Sequence, residues 1–428
     1  LHDQTRRQRQ MCIRDRGGGK EAIENAAKLL SKAKFPVILS GAGVVLGGAI
    51  DECKKLAEKL DAPVCNGYQH NDSFPGSHPL AVGPLGYNGS KAAMELISKA
   101  DVVLALGTRL NPFSTLPGYG IDYWPKKATI IQVDMNPDRI GLTKKVSVGI
   151  CGDAKQVAQQ ILDKLSSDAG NTGREERKNL IHKTKSAWLQ TLSGLDHEED
   201  DPGTVWNKEA RERDKDRMSP RQAWRAIQDA LPQDAIISSD IGNNCAIGNA
   251  YPTFEKPRKY LAPGLFGPCG YGFPAILGAK IGCPDTPVVG FAGDGAFGIS
   301  MNEMSSCARE EWPAITMVIF RNYQWGAEKR NSILWFDDNF VGTELDPELS
   351  YAKVANACGL KGVTCKTMEE TTKAIKQSCE DQKKGITTFI EIILNQELGE
   401  PFRRDAMKKP VKVAGVNISD MKPQKSII

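Results

Sequence analysis

No apolar run in these 428 residues reaches the ~18 needed to cross a bilayer, so the sequence predicts no membrane span. No Cys-x-x-Cys pair occurs among the eleven cysteines, several of which (Cys65, Cys283, Cys307) sit in apolar stretches. That pattern excludes a disulfide framework or zinc site and points to reduced, buried thiols of a cytoplasmic protein. Neither charge is in large excess, with 56 basic residues against 52 acidic ones and a formal charge of +4. A nucleic-acid binder needs a concentrated basic face to displace counterions, so that class is excluded too. Histidine is scarce: His2, His70, His78, His182 and His197 show no ligand or triad spacing, and none is assigned a catalytic role. His70, in the polar run NGYQHND, is the one set in a loop suited to approach a substrate. What is present is 40% hydrophobic residues, 41 glycines and 24 prolines, the composition of a globular protein with many turns. At roughly 150 residues per domain, the length implies two or three domains.

Residues 1–16 are polar and basic, with neither the apolar stretch of a signal peptide nor the amphipathic stripe of a mitochondrial presequence. The run MCIRDR resembles translated sequencing adapter, and the segment is expected to be non-native or disordered. Residues 17–166 alternate helix and strand: a helix over 20–33, a strand in PVILSGAG, a helix over 49–60, then APVC, ADVVLALGT and ATIIQVD. Continuous apolar character is what a parallel strand covered on both faces requires. Ser40-Gly41-Ala42-Gly43 hints at dinucleotide binding, but position 46 is Leu and the full fingerprint is absent. Residues 167–217 are dense in charge and read as a solvated, partly helical connector. From 218 to 395 the rhythm resumes, opening on a helix with Ser219 as N-cap and Pro220 in its first turn. Strands are expected at AIISS, PVVGF, AITMVIF and TTFIEIIL, with a polar tail over 396–428. The fold class is therefore α/β, two doubly wound parallel-sheet domains joined by a charged connector.

The chemistry concentrates in residues 290–326. A strand ends in Gly293-Asp294-Gly295, a helix is expected from about Ser300 to Arg309, and a second strand ends at Arg321-Asn322. Parallel strands put both ends at one sheet edge, so Asp294 and Asn322 can converge. A carboxylate, an amide oxygen and a loop carbonyl, with phosphate oxygens completing the set, suit Mg²⁺. Glycines let the backbone approach a diphosphate, and a following helix N-terminus favours the anion.

Gly-Asp-Gly, 25 intervening residues (296–320) and a pair ending in Asn resemble the thiamine-diphosphate signature. The family commonly has Asn first in that pair, where this chain has Arg321; the second position, the usual ligand, is retained as Asn322. The resemblance implies Mg²⁺ on Asp294, Asn322 and the carbonyl of Gln324. It places Gly242, Asn243, Asn244, Asp294, Gly295, Ala296, Asn322 and Gly326 around the diphosphate. The run PGLFGPCGYGFPAILGAKIG matches the segment that holds the aminopyrimidine, with the Gly267 carbonyl accepting from its amine. Cys269 stands where many relatives place a bulky Met to bend the cofactor, and either it or Phe266 supplies that wedge.

The runs LAPGLFGPCGYG, GDGAFGISMNEM, NYQWGAEKRN, FVGTELD and ELGEPFRRDAMKKPVKVAG, with GTRLNPFSTLP and QVDMNPDRIG earlier, look like the sulfoacetaldehyde acetyltransferase branch of that superfamily. The branch implies attack by the cofactor carbanion on sulfoacetaldehyde, loss of sulfite and transfer of acetyl to inorganic phosphate. It also implies small-molecule substrates and a homodimer or homotetramer. Lys329, Arg330, Arg403 and Arg404 are the cations proposed for the sulfonate or phosphate. Members carry a further N-terminal domain whose glutamate activates the cofactor. Nothing before residue 17 matches it, so the sequence reads as N-terminally truncated, with the catalytic residue unknown and the fragment alone expected to be inactive. Two alternatives stay open: an acetolactate-synthase-like carboligase or decarboxylase, and a non-catalytic nucleotide-binding or oligomerisation module.

Overall fold

The computed structural model describes residues 18–86, 88–119, 121–194, 212–264, 266–329 and 341–396. These form two compact units, one drawn from Leu1–Leu195 with Asn249–Tyr260, the other from Asp196–Gly248 with Leu261–Ile428. Among the described residues, no helix is long and apolar enough to cross a membrane.

The first unit contains strands β1 (Pro36–Ser40), β2 (Val64–Asn66), β3 (Ala81–Pro84), β4 (Val102–Leu106), β5 (Thr129–Asp134) and β6 (Val148–Cys151). They form one sheet in the order β3-β2-β1-β4-β5-β6, every pairing parallel. Central strands β1 and β4 are buried at all positions, because helices cover both faces, and their sequences are apolar almost throughout. The covering helices are α1 (Lys20–Lys32), α2 (Ala42–Gly47), α3 (Ile50–Leu60), α4 (Lys91–Ile97) and α5 (Ala154–Lys164). At the reversal of strand order, Gly41 and Gly43 abut the loop after β4. A Cβ on Gly43 would lie 2.6 Å from the backbone of Gly107, and one on Gly41 would lie 2.6 Å from Thr108. Both glycines thus serve loop-to-loop packing.

Charge-dense residues after 167 include a long helix, α6 (Arg174–Gly194), which buries Arg177, Ile181, Thr184, Trp188 and Leu192. Arg177 is 1% exposed and donates to five backbone carbonyls, those of Lys34, Leu60, Asp61, Gly170 and Thr172, at 2.6–2.9 Å. The guanidinium fork thereby satisfies carbonyls left over at the C-terminal end of α3.

The second unit runs α7 (Pro220–Ala230), β7 (Ile236–Ser239), α8 (Asn243–Ile247), β8 (Tyr260–Leu261), α9 (Gly272–Gly282) and β9 (Val288–Gly293). It continues with α10 (Asp294–Ser300), α11 (Met304–Cys307), β10 (Thr316–Arg321), α12 (Tyr351–Ala357), β11 (Lys361–Cys365), α13 (Met368–Gln382) and β12 (Thr388–Ile393). The sheet order is β11-β12-β10-β9-β7-β8, and β11, β12, β10, β9 and β7 pair in parallel. Helix α7 begins as its sequence implies: Ser219 accepts the Gln222 N–H and Gln222 reciprocates, a capping box with Pro220 in the first turn. The two doubly wound α/β sheets expected from the sequence are therefore present.

One local expectation is corrected. The helix placed at about 300–309 instead begins at Asp294, and a 3₁₀ turn (Met301–Glu303) separates it from α11. The physical reason is Phe297, fully buried between Phe273, Phe389 and Tyr351, with ring centroids 5.1–6.0 Å away. That anchor winds the glycine-rich stretch into a turn despite its poor helix propensity.

Candidate cofactor and metal site

Register fixes the centre of the site. Phe320 of β10 lies opposite Gly293 of β9, so Asp294 and Arg321 emerge side by side at the C-terminal tips of adjacent strands. Asp294 is 1% exposed. Its Oδ2 accepts from Arg321 Nη1 at 3.0 Å and from the Tyr323 backbone N–H at 2.6 Å, and its Oδ1 accepts from the Gly295 N–H at 2.9 Å. Asn322, buried, lies between two residues that both bond the carboxylate, at the same strand edge as Asp294. Burial pushes the Asp294 carboxyl up to about 6, against the lowering influence of Arg321.

Tyr323 turns the chain with φ of 61°, a left-handed conformation unusual for an aromatic residue. Its ring lies between two guanidinium groups, Arg321 at 4.2 Å and Arg217 at 4.8 Å from the centroid, which offset the strain. The turn leads into a short antiparallel ribbon in which Trp325 N–H donates to Thr343 O and Leu345 N–H donates to Tyr323 O. Gln324 is buried there: its Nε2 donates to Gln396 O at 3.1 Å, while its Oε1 has no hydrogen-bond partner among the described residues.

Glycines mark the open side. Gly242 has φ of 135°, and a Cβ on Gly242 or Gly293 would meet nothing within 4 Å. Beside Gly242, Asn243 and Asn244 begin α8; both are buried, and Asn244 Oδ1 has no hydrogen-bond partner among the described residues. Gly295 plays a different part, since a Cβ there would lie 2.7 Å from the Trp325 ring. Ala296 is buried behind it. Gly267 is left-handed at φ of 64°; near it Cys269 is partly buried on the core and Phe266 is 92% exposed. The Cys269 thiol is pushed up from its ordinary value, first by burial and then by Asp240 and Glu328. Gly326 is partly buried after the ribbon.

Among the proposed anion contacts, Lys329 is ion-paired with Glu344 and lies 3.3 Å from Gln396 Oε1, so its charge is balanced locally. Arg330, Arg403 and Arg404 lie outside the described residues.

Sequence reasoning missed two residues that organise these tips. Asp240, 1% exposed, accepts the N–H groups of Ile241, Gly270 and Gly272 at 2.7–3.1 Å, tying the β7 tip to the 263–271 loop. Glu391 on β12 faces Arg321. Among the described residues no three His, Cys, Asp or Glu side chains gather to hold a metal. The expected donor set contains one carboxylate, and its other donors are an amide and a carbonyl. The unpartnered buried Asn244 oxygen, the two open glycines and a carboxylate held at a strand tip fit a diphosphate with a hard cation.

Comparison with known proteins agrees with this geometry. Residues 23–161 match the family model of the thiamine pyrophosphate enzyme central domain. Residues 240–392 match that of the C-terminal TPP binding domain. The chain is 77% identical over 408 residues to a probable sulfoacetaldehyde acetyltransferase of Rhizobium meliloti (strain 1021), covering 95% of this chain and 69% of that protein. It is 74% identical to the sulfoacetaldehyde acetyltransferase of Roseovarius nubinhibens, covering 95% and 68%. An acetolactate synthase large subunit of Buchnera aphidicola is 29% identical, over 88% of this chain and 62% of that protein.

Proposed function

The chain belongs to the thiamine-pyrophosphate-dependent enzymes, in the branch of the sulfoacetaldehyde acetyltransferases, and on that premise we propose that it serves conversion of sulfoacetaldehyde and phosphate into acetyl phosphate and sulfite. The observation that carries this reading is the meeting of Asp294 with the Arg321–Tyr323 turn across neighbouring strand tips. Thiamine diphosphate, when bound, supplies the carbanion that attacks the aldehyde carbon.

The chain's own work is binding and orientation. Asp294, Asn322 and the Gln324 carbonyl hold Mg²⁺, a hard cation that takes about six oxygen ligands. Gly242, Asn243, Asn244, Gly295, Ala296 and Gly326 receive the diphosphate, whose approach at Gly242 no side chain obstructs. Gly267 would offer its carbonyl to the pyrimidine amine, with Cys269 or Phe266 supplying the wedge that bends the cofactor. Arg330, Arg403 and Arg404 are the cations left to attract the sulfonate or phosphate, since Lys329 is paired with Glu344. The cysteines of the described residues are all free thiols, which supports a cytoplasmic setting, and family resemblance supports a homodimer or homotetramer.

Titration calorimetry of the purified chain with MgCl₂ and thiamine diphosphate tests the site. A binding heat that disappears in Asp294→Ala is expected; equal heats in both proteins argue for a module without this cofactor. In an assay with sulfoacetaldehyde and phosphate, acetyl phosphate and sulfite are the expected products, and acetolactate or CO₂ would favour the more distant relatives.

A further inference from the structure

Arg321 stands where thiamine-diphosphate enzymes commonly carry Asn, and nothing in the cofactor motif calls for a cation there. Its side chain is 1% exposed. A buried guanidinium is costly unless carboxylates balance its charge and most of its donors are met. Nη1 donates to Asp294 Oδ2 at 3.0 Å, and Nη2 donates to Leu349 O at 3.0 Å and to Asp346 O. Nε has no hydrogen-bond partner among the described residues and meets Glu391 Oε1 by charge alone at 3.8 Å, and the guanidinium lies 4.2 Å from the Tyr323 ring centroid and 5.4 Å from that of Tyr351. Glu391 is itself fixed: Oε1 accepts the Tyr351 N–H at 3.0 Å, and Oε2 accepts the hydroxyls of Ser350 at 2.7 Å and Thr364 at 3.3 Å. Tyr351 closes the circuit by donating its hydroxyl to the Asp294 carbonyl at 2.9 Å.

We propose that Arg321, braced by Glu391, is a positioning residue that fixes the Asp294 carboxylate for the cation and so sets the affinity of the cation and diphosphate together. The proposal rests on the reading of Asp294 as a cation ligand. Oδ2 carries two donors, from Arg321 and Tyr323, whereas Oδ1 carries the single N–H of Gly295 among the described residues. A carboxylate offers about four lone-pair sites, so Oδ1 keeps one for a metal. Two buried carboxylates share one guanidinium, which leaves an excess negative charge for a divalent cation to meet. Lysine at 321 keeps the charge and loses the fork that reaches Asp294, Leu349 and Asp346 at once.

The test is Mg²⁺ titration calorimetry at fixed thiamine diphosphate, on the wild-type chain, Arg321→Lys, Glu391→Gln, the double variant and Asp294→Ala, with circular dichroism and thermal melts reporting folding. Partners that hold a ligating carboxylate are worth about 10–100-fold in metal affinity. Folded Arg321→Lys and Glu391→Gln proteins are therefore expected to bind Mg²⁺ at least about tenfold more weakly. The double variant should be little worse than the weaker single one, as for residues acting through one contact. A lowered melting temperature with Mg²⁺ affinity within about twofold of wild type marks a merely structural role and overturns the proposal while the cofactor reading stands. No wild-type heat, or an unchanged heat in Asp294→Ala, overturns both. Should Arg321→Lys fail to fold, Glu391→Gln decides alone, because it keeps the buried guanidinium and removes only the charge that holds it against Asp294.

Discussion

At His70 the environment decides the protonation state. Burial, assisted by Arg109, pushes the imidazole down from its ordinary 6.5 to about 4, so it is neutral near pH 7. Between those values the unfolded chain binds a proton that the folded chain does not. The stability tied to the neutral ring is therefore complete above about pH 6.5 and is lost as pH falls toward 4. His70→Gln should lose less stability than wild type over that window in urea melts at stepped pH; parallel curves would refute the assignment. Gly295 allows a second forecast. A methyl group there collides with the Trp325 ring, and overpacking of this kind costs about 1–3 kcal/mol. Gly295→Ala should therefore melt earlier, while Gly242→Ala, whose neighbourhood is open, should suffer from its backbone angle alone.

Among the elements, the long central strands were plain in the sequence because burial on both faces leaves an unbroken apolar run, as in Val102–Leu106 and Thr316–Arg321. Short strands β3 and β11 were not. Ala81–Pro84 contains Gly and Pro, and Lys361–Cys365 has only its last residue buried, so neither shows apolar continuity. Helix α6 hid for another reason. Its buried apolar residues are spaced widely among charges, and one position on its inner face is Arg177, which sequence reasoning assigns to solvent. Removing that guanidinium strands five carbonyls. Arg177→Met is expected to cost about 3 kcal/mol or more, seen as a lower denaturation midpoint, whereas Lys178→Met on the same helix, partly exposed, should change little.

Across the whole molecule, the adjacency of Asp294 and the β10 tip was legible because strand, turn and strand follow one another closely in sequence and parallel topology does the rest. Glu391 and Asp240 were not, since each acts on partners that only the folded sheet brings near. Arg321 stands out in the signature as a departure from Asn, but its partner Glu391 is not revealed by local spacing. Thiol accessibility tests the global packing. Cys65 and Cys307 are buried as their apolar stretches imply, but Cys283, just past the end of α9, is exposed against that expectation; Cys53, Cys245, Cys365 and Cys379 are buried too, and burial pushes the Cys245 thiol up to about 12. A disulfide reagent applied to the native protein should modify Cys283 quickly and reach the buried group only on denaturation; Cys283→Ser removes that fast reaction.

The segment Asn249–Tyr260 lies inside the sequence match to the C-terminal domain, yet it folds with the first unit. There Asn71 Nδ2 donates to Asn249 O and Pro252 O, and the buried Asp72 carboxylate accepts the N–H groups of Lys259 and Tyr260. The polypeptide is therefore interlaced: it leaves one unit, returns to finish it, and departs again. No scissor cut at a single peptide bond yields two finished halves, and a dissected fragment ending before residue 249 should regain its melting temperature only when the missing strip is spliced back on.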